Sequence, residues 1–295
     1  MNKFLILLII TIPFLYFCNN EKTTTDDTPD KDNVDSSLSM MVRVKDKLFS
    51  VPSPLQMSNY VSKENINFDI ELLNTPENSS KYLTTFKQAL NIGVYGADLG
   101  NLFVNDQLSE SAKYFSVIKN LGDQVGVMNS IDSKLIDRID KNTQNKDSLI
   151  YLMSDIFKEI DNYLTENDQQ DIGILIIIGG WIESMYYLTS ISRTNKNPDI
   201  YNRIAEQKNP LNNIIALMQP FYNEDNNEFD KLHEKLVNLS IIFDSIEEIY
   251  VYKEPETDPQ NKITVIKSTT TYNINQEQLD KIYEQISQIR NWIIE

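Results

Sequence analysis

One carboxylate stands out for the company it keeps. Glu183 ends the apolar run Ile174-Leu175-Ile176-Ile177-Ile178-Gly179-Gly180-Trp181-Ile182, with Tyr186 and Tyr187 three and four residues further on. On a helix, a residue four after Gly179 and three after Gly180 points along the groove left by their missing side chains. An acid buried there must find hydrogen-bond donors, for which the two phenols are the nearest candidates, or hold its proton to higher pH. A raised-pKa carboxyl beside Trp181, Tyr186 and Tyr187 is what a small ligand-binding site or an acid catalyst offers. A structural glutamate with satisfied hydrogen bonds carries the same signature.

Most other chemistries lack their parts. The chain has one cysteine and one histidine among 295 residues, too few for an internal disulfide or a Cys/His zinc centre. A serine triad would depend on His233, which sits beside the apolar position Leu232 and reads as a packed or surface imidazole. A carboxylate-dependent hydrolase needs a second acid across a cleft from Glu183. Asp155, Glu159, Asp161 and Glu166 are all available, and no spacing selects one. Asn223-Glu224-Asp225-Asn226-Asn227-Glu228 is acidic but lacks the central glycine of a calcium loop. No phosphate-binding or dinucleotide fingerprint is present, so neither a metal nor a cofactor is expected and the catalytic residues are unknown. With 27 basic against 43 acidic side chains the net charge is −16, the wrong sign for a nucleic-acid footprint.

The elements that would position Glu183 are helical. All eight glycines lie between Gly93 and Gly180, although each costs roughly 1 kcal/mol relative to alanine inside a helix. Ala89, Gly93, Gly96 and Gly100 fall on one narrow stripe at 100° per residue, and Gly179-Gly180 forms a second flat patch. These two helices are expected to cross tightly, either closed by packing or leaving a slot for a ligand where side chains are missing. Asp98 lies nearly opposite the stripe, on the side shared with Lys87 and Asn91, and reads as a solvated residue.

Punctuation divides the rest into helices of roughly 10 to 25 residues with short links. Ser53-Pro54, Asn197-Pro198 and Asn209-Pro210 read as a cap followed by a first-turn proline, and Asn167/Gln170 and Asn275/Gln278 as capping boxes. Helices are predicted near Ser80 to Val104, Gln107 to Leu121, Ser130 to Lys141, Asp147 to Leu164, Asp168 to Ile191, Pro198 to Gln207, Pro210 to Pro220, Asn227 to Tyr250 and Gln276 to Ile294. Phe229, Leu232, Leu236, Leu239, Phe243, Ile246 and Tyr250 form one sustained apolar seam, and Leu279, Ile282, Ile286, Ile289 and Ile293 another. Between them the β-branched run from Lys262 to Tyr272 favours a strand, with Val251-Tyr252-Lys253 as its hairpin partner. That strand offers an edge to a partner or simply closes one end of the domain. The predicted fold is an all-α multi-helix bundle with a small β-hairpin near the C-terminus.

The N-terminus reads as an address. Met1-Asn2-Lys3 is a short positive region, Phe4 to Phe17 is apolar apart from Thr11 and Pro13, and Cys18-Asn19-Asn20-Glu21-Lys22 turns abruptly polar. The apolar stretch is shorter than the roughly 20 residues that span a bilayer core. Leu15-Tyr16-Phe17-Cys18 resembles the lipobox of a bacterial lipoprotein at its leucine and cysteine, and differs at Phe17, where that family carries a small residue. The resemblance covers Met1 to Cys18 and implies export, acylation of Cys18 and a membrane held through the lipid. More loosely, the whole pattern resembles uncharacterised envelope lipoproteins with helical bodies, a class that confers no specific activity.

The expected organisation is a signal peptide over 1–17, a tether over 18–40, where Thr23 to Asp32 holds almost nothing apolar, and a single helical domain over 41–295. The expected function is a non-catalytic binding or scaffolding role in the cell envelope, with an envelope protein as partner. The alternatives are a small-ligand carrier with its pocket at the Gly93/Gly179 contact and a hydrolase using Glu183.

Overall fold

Capping and apolar spacing resolve into ten helices among the described residues of the computed structural model, which are 39–44, 47–64, 66–142, 145–221, 227–260 and 262–295. Residues 1–38 lie outside the described residues. The Cys18 anchor, nearly all of the tether and most of the Asn223–Glu228 loop therefore fall on positions that are not described. The first described element, β1 (Ser39–Val44), begins just inside the stretch read as tether and pairs antiparallel with β2 (Lys47–Pro52).

The helices are α1 (Pro54–Lys63), α2 (Thr85–Val104), α3 (Leu108–Val125), α4 (Ser133–Lys141), α5 (Lys146–Glu166), α6 (Gln170–Thr194), α7 (Pro198–Ala205), α8 (Lys208–Met218), α9 (Asn227–Asp244) and α10 (Gln276–Ile294). Ser53 caps α1 by accepting from the Gln56 N–H at 3.1 Å, and Pro54 opens that helix. Asn275 and Gln278 make the reciprocal capping box of α10, with both bonds at 2.9 Å.

Two helices form the centre. Residues Gln88 to Val104 of α2 are all buried, and α6 is buried along nearly its whole length from Ile174 to Ser192. Helix α6 is long and apolar enough to cross a membrane, but its most apolar window is 89% buried within the body, as a core helix would be. Around this crossing α1, α3, α5 and α10 pack against α2 or α6, and α9 packs against α8 and α10. The seam of α9 closes on that of α10, with Leu232, Leu236, Leu239, Phe243, Ile282, Ile286 and Ile293 fully buried.

Several boundaries differ from the sequence reading. Asn167 caps the C-terminus of α5 instead of opening α6, because Asp168 turns the chain with φ +56° and Gln169 precedes the first helical residue. Helix α8 starts at Lys208, so Asn209 is already helical. The residues before Thr85 form a 3₁₀ turn, Pro76–Lys81, instead of extending α2. Helix α9 stops at Asp244, and Tyr250 leaves the seam for a strand.

That strand belongs to one long hairpin with two ladders. β3 (Glu247–Val251) pairs with β6 (Thr269–Asn273), and β4 (Glu256–Asp258) pairs with β5 (Ile263–Val265), so pairing begins before the Val251-Tyr252-Lys253 segment expected from sequence. Between the ladders the Lys253 N–H donates to Ser268 Oγ at 3.0 Å, and that hydroxyl donates back to the Lys253 carbonyl at 3.1 Å. Tyr272 packs its ring against the core near the base, while β3, β4 and β5 are exposed at every position.

Candidate functional site

Glycine decides how closely α2 and α6 approach. A Cβ on Gly93 would lie 1.9 Å from the Ile176 carbonyl oxygen, and one on Gly179 would lie 1.8 Å from that of Leu90. The backbones touch, and the crossing holds no slot for a ligand. The other small residues of the α2 stripe serve different neighbours. Gly96 faces the Phe157 ring of α5, Gly100 faces Ser58 and Leu55 of α1, and Ala89 is fully buried. Gly180 receives the Pro54 ring. A stripe on a helix surrounded on every side is divided among the helices that cross it.

Glu183 lies beside this crossing with 1% of its surface exposed. Its donor is Arg290 of α10 and not a phenol. Arg290 Nε donates to Oε2 at 2.7 Å and Nη2 to Oε1 at 2.8 Å, a bidentate pair. Nη2 also donates to the Leu72 carbonyl at 3.1 Å. The guanidinium lies 4.1 Å over the Tyr186 ring, which stacks on Tyr283 at 6.3 Å, and the Arg193 guanidinium lies 4.4 Å over the Tyr283 ring. Burial works against the Arg290 charge, but the Glu183 carboxylate outweighs it and holds the guanidinium protonated beyond its ordinary range.

Trp181 and Tyr187 face elsewhere. The Trp181 indole N–H donates to Gln207 Oε1 at 3.2 Å, and its ring is buried. Tyr187 packs near Phe68 and accepts from the Asp69 backbone; burial pushes its phenol up to about 12. The four residues expected to form one binding site thus sit in three environments.

Asp98 overturns the sequence reading. It is fully buried, not solvated, because the side of α2 that holds Lys87, Asn91 and Asp98 is covered by the last turns of α10. Lys87 Nζ donates to the Trp292 carbonyl, and Asn91 Nδ2 donates to the Ile293 carbonyl at 3.0 Å. A cation and an amide at a helix C-terminus satisfy carbonyls that have no partner within the helix. Asp98 Oδ2 accepts from the Asn74 N–H at 3.0 Å, whereas Oδ1 meets no donor among the described residues. Its carboxyl is within hydrogen-bonding reach of that of Glu183. Burial first, and the neighbouring Glu183 charge second, push its pKa well above the carboxylate range, against the opposing pull of Arg290.

Asp98 is the second acid that the sequence could not select. It adjoins Glu183 directly, whereas glycosidases hold their carboxyl groups about 5 to 9.5 Å apart with sugar between them. Both acids are sealed from solvent. A cleft of about 670 Å³ lies beside the last turn of α6, lined by Phe68, Leu72, Ser190 and Lys196 among others, and none of the expected site residues lines it. Among the described residues no three His, Cys, Asp or Glu side chains are grouped to hold a metal ion.

No match was found. Neither family models, nor curated proteins, nor solved structures resemble this chain. The molecule must be interpreted from its own chemistry.

Proposed function

We propose that the chain is an exported, lipid-anchored envelope protein with a non-catalytic binding or scaffolding role, and that its hairpin, residues 247–273, is the arm that meets an envelope partner. One observation supports this reading above the others. The acids of the interior, Asp98 and Glu183, are enclosed away from solvent, while the large apolar side chains left outside concentrate on the hairpin. Ile249, Tyr250, Val251, Tyr252, Ile263, Val265 and Ile266 are each 44% to 76% exposed. An isolated two-stranded ribbon is marginally stable in water, and its outer edges carry unpaired backbone donors and acceptors suited to an added strand. The lipid on Cys18 would supply the membrane attachment, since a net charge of −16 repels anionic head groups.

Two expected results test the two halves of this reading. Replacing Tyr250, Tyr252 and Ile266 together by serine should leave unfolding within about 0.5 kcal/mol of the parent, as for exposed positions generally. In-cell crosslinking should lose its principal protein adduct in this variant; an unchanged adduct would remove the hairpin from the interface. Separately, Cys18→Ser should move the protein from the membrane to the soluble fraction, and retention in the membrane would refute the lipid anchor.

A further inference from the structure

Two buried carboxyl groups share one guanidinium, and the charges do not balance if both acids are ionised. Arg290 donates to Glu183 through Nε and Nη2, and Nη2 also donates to the Leu72 carbonyl. Among the described residues Asp98 receives a single backbone N–H, from Asn74, and its Oδ1 meets no donor. An ionised carboxylate left so poorly compensated at full burial is among the costliest arrangements in a protein interior.

We propose that Asp98 keeps its proton at neutral pH and donates it to the Glu183 carboxylate, so that acid and carboxylate form a proton-dependent latch across the α2/α6 contact, anchored by the Arg290 guanidinium of α10. With that proton in place each group has a partner. Asp98 is a donor to Glu183 and an acceptor from Asn74, Glu183 is ionised against Arg290, and the cluster has no net charge. When the proton leaves to solvent, two carboxylates confront one cation and the contact between α6 and α2 becomes repulsive. Arg290, the α10 member of the cluster, is drawn to both carboxylates, so the contact loosened is the one between α2 and α6.

The other titratable groups facing Asp98 do not compete for this proton. They are Tyr95 on its own helix, Tyr114 on α3 and Tyr187 on α6, each a phenol that burial raises above its ordinary value and keeps neutral. Asp98 thus binds a proton more tightly in the folded than in the unfolded chain. The stability it contributes is greatest below the ordinary aspartate value and falls as pH rises toward its own folded-state value.

Infrared spectroscopy of the full chain tests the proton directly. A protonated-carboxyl carbonyl stretch should persist at pH 7, disappear at alkaline pH and be absent from Asp98→Asn. The amide of that variant can still donate to Glu183 and accept from Asn74, so it should fold and fix the latch closed. Between the ordinary aspartate value and that of Asp98, the wild-type unfolding constant should rise relative to Asp98→Asn by about tenfold per pH unit. Protection of α2 and α6 amides, corrected for intrinsic exchange, should decline with pH in the wild type alone. Absence of the infrared band from the wild type at pH 7 would overturn the proposal, and that measurement needs no variant. Persistence of the band in Asp98→Asn, or equal pH dependence of α2 and α6 protection in both proteins, would overturn it as well.

Discussion

Gly179→Ala should cost more stability than any other single added methyl group in the described structure. The new Cβ would lie 1.8 Å from the Leu90 carbonyl oxygen and 2.7 Å from its carbon, and both belong to helix backbone. A flexible side chain could swing away, but two long helices must separate, and every residue packed around α2 and α6 shifts with them. Overpacking of cores commonly costs 1 to 3 kcal/mol, and a clash with backbone on both sides belongs at or beyond the upper end, about 3 kcal/mol or more. Gly93→Ala should behave alike, since its Cβ meets Ile176 and Gly180 backbone atoms at 1.9 and 2.6 Å. Gly173→Ala provides the contrast within α6. Its Cβ would meet only Leu164 Cδ1 at 3.4 Å, an ordinary contact, so helix propensity should stabilise that variant by about 0.5 to 1 kcal/mol. Urea denaturation of the three variants checks the order; a silent Gly179→Ala would mean that the helices do not touch as described.

Arg290→Met should destabilise by about 3 to 5 kcal/mol, the range for removing one partner of a buried ion pair. The loss exceeds the hydrogen bonds counted one by one, because Glu183 would remain enclosed with Asp98 beside it and no cation to balance either. Glu183→Gln should also destabilise, by leaving the buried guanidinium unpaired. The double variant Glu183→Leu/Arg290→Met should recover much of the loss, since apolar replacement of both members removes the unpaired charge along with the pair. If the single and double variants lost the same stability, the pair would carry no coupling and the latch would lose its anchor.

The helical class, the capping of α1 and α10, the two seams and the glycine crossing were all legible because each is written in local spacing. Gly93 and Gly179 announce a close approach by being glycine where alanine would make a better helix. Arg290 was not legible. It lies among the regularly spaced apolar residues of α10, and nothing near it in sequence says that its partner is Glu183, 107 residues earlier. Asp98 was misread for the same reason. Lys87, Asn91 and Asp98 share a polar helix face, and polarity on one face ordinarily means water, whereas here it means the carbonyls and the guanidinium of a helix about 200 residues downstream. The end of α9 was missed because Ile246 and Tyr250 continue the helical period into a strand, so periodicity had no reason to stop at Asp244.

Tying Lys87, Asn91, Asp98 and Glu183 to residues 290–293 also sets an order of assembly. Until α10 arrives, the nascent chain carries its central acids and amides without the groups that neutralise and cover them, so α2 and α6 can meet only provisionally. The partners lie from 107 residues apart, for Glu183 and Arg290, to 205 apart, for Lys87 and Trp292, which makes their union slow and late. A chain in synthesis would remain pliable until α10 is released, and only then become resistant to proteases.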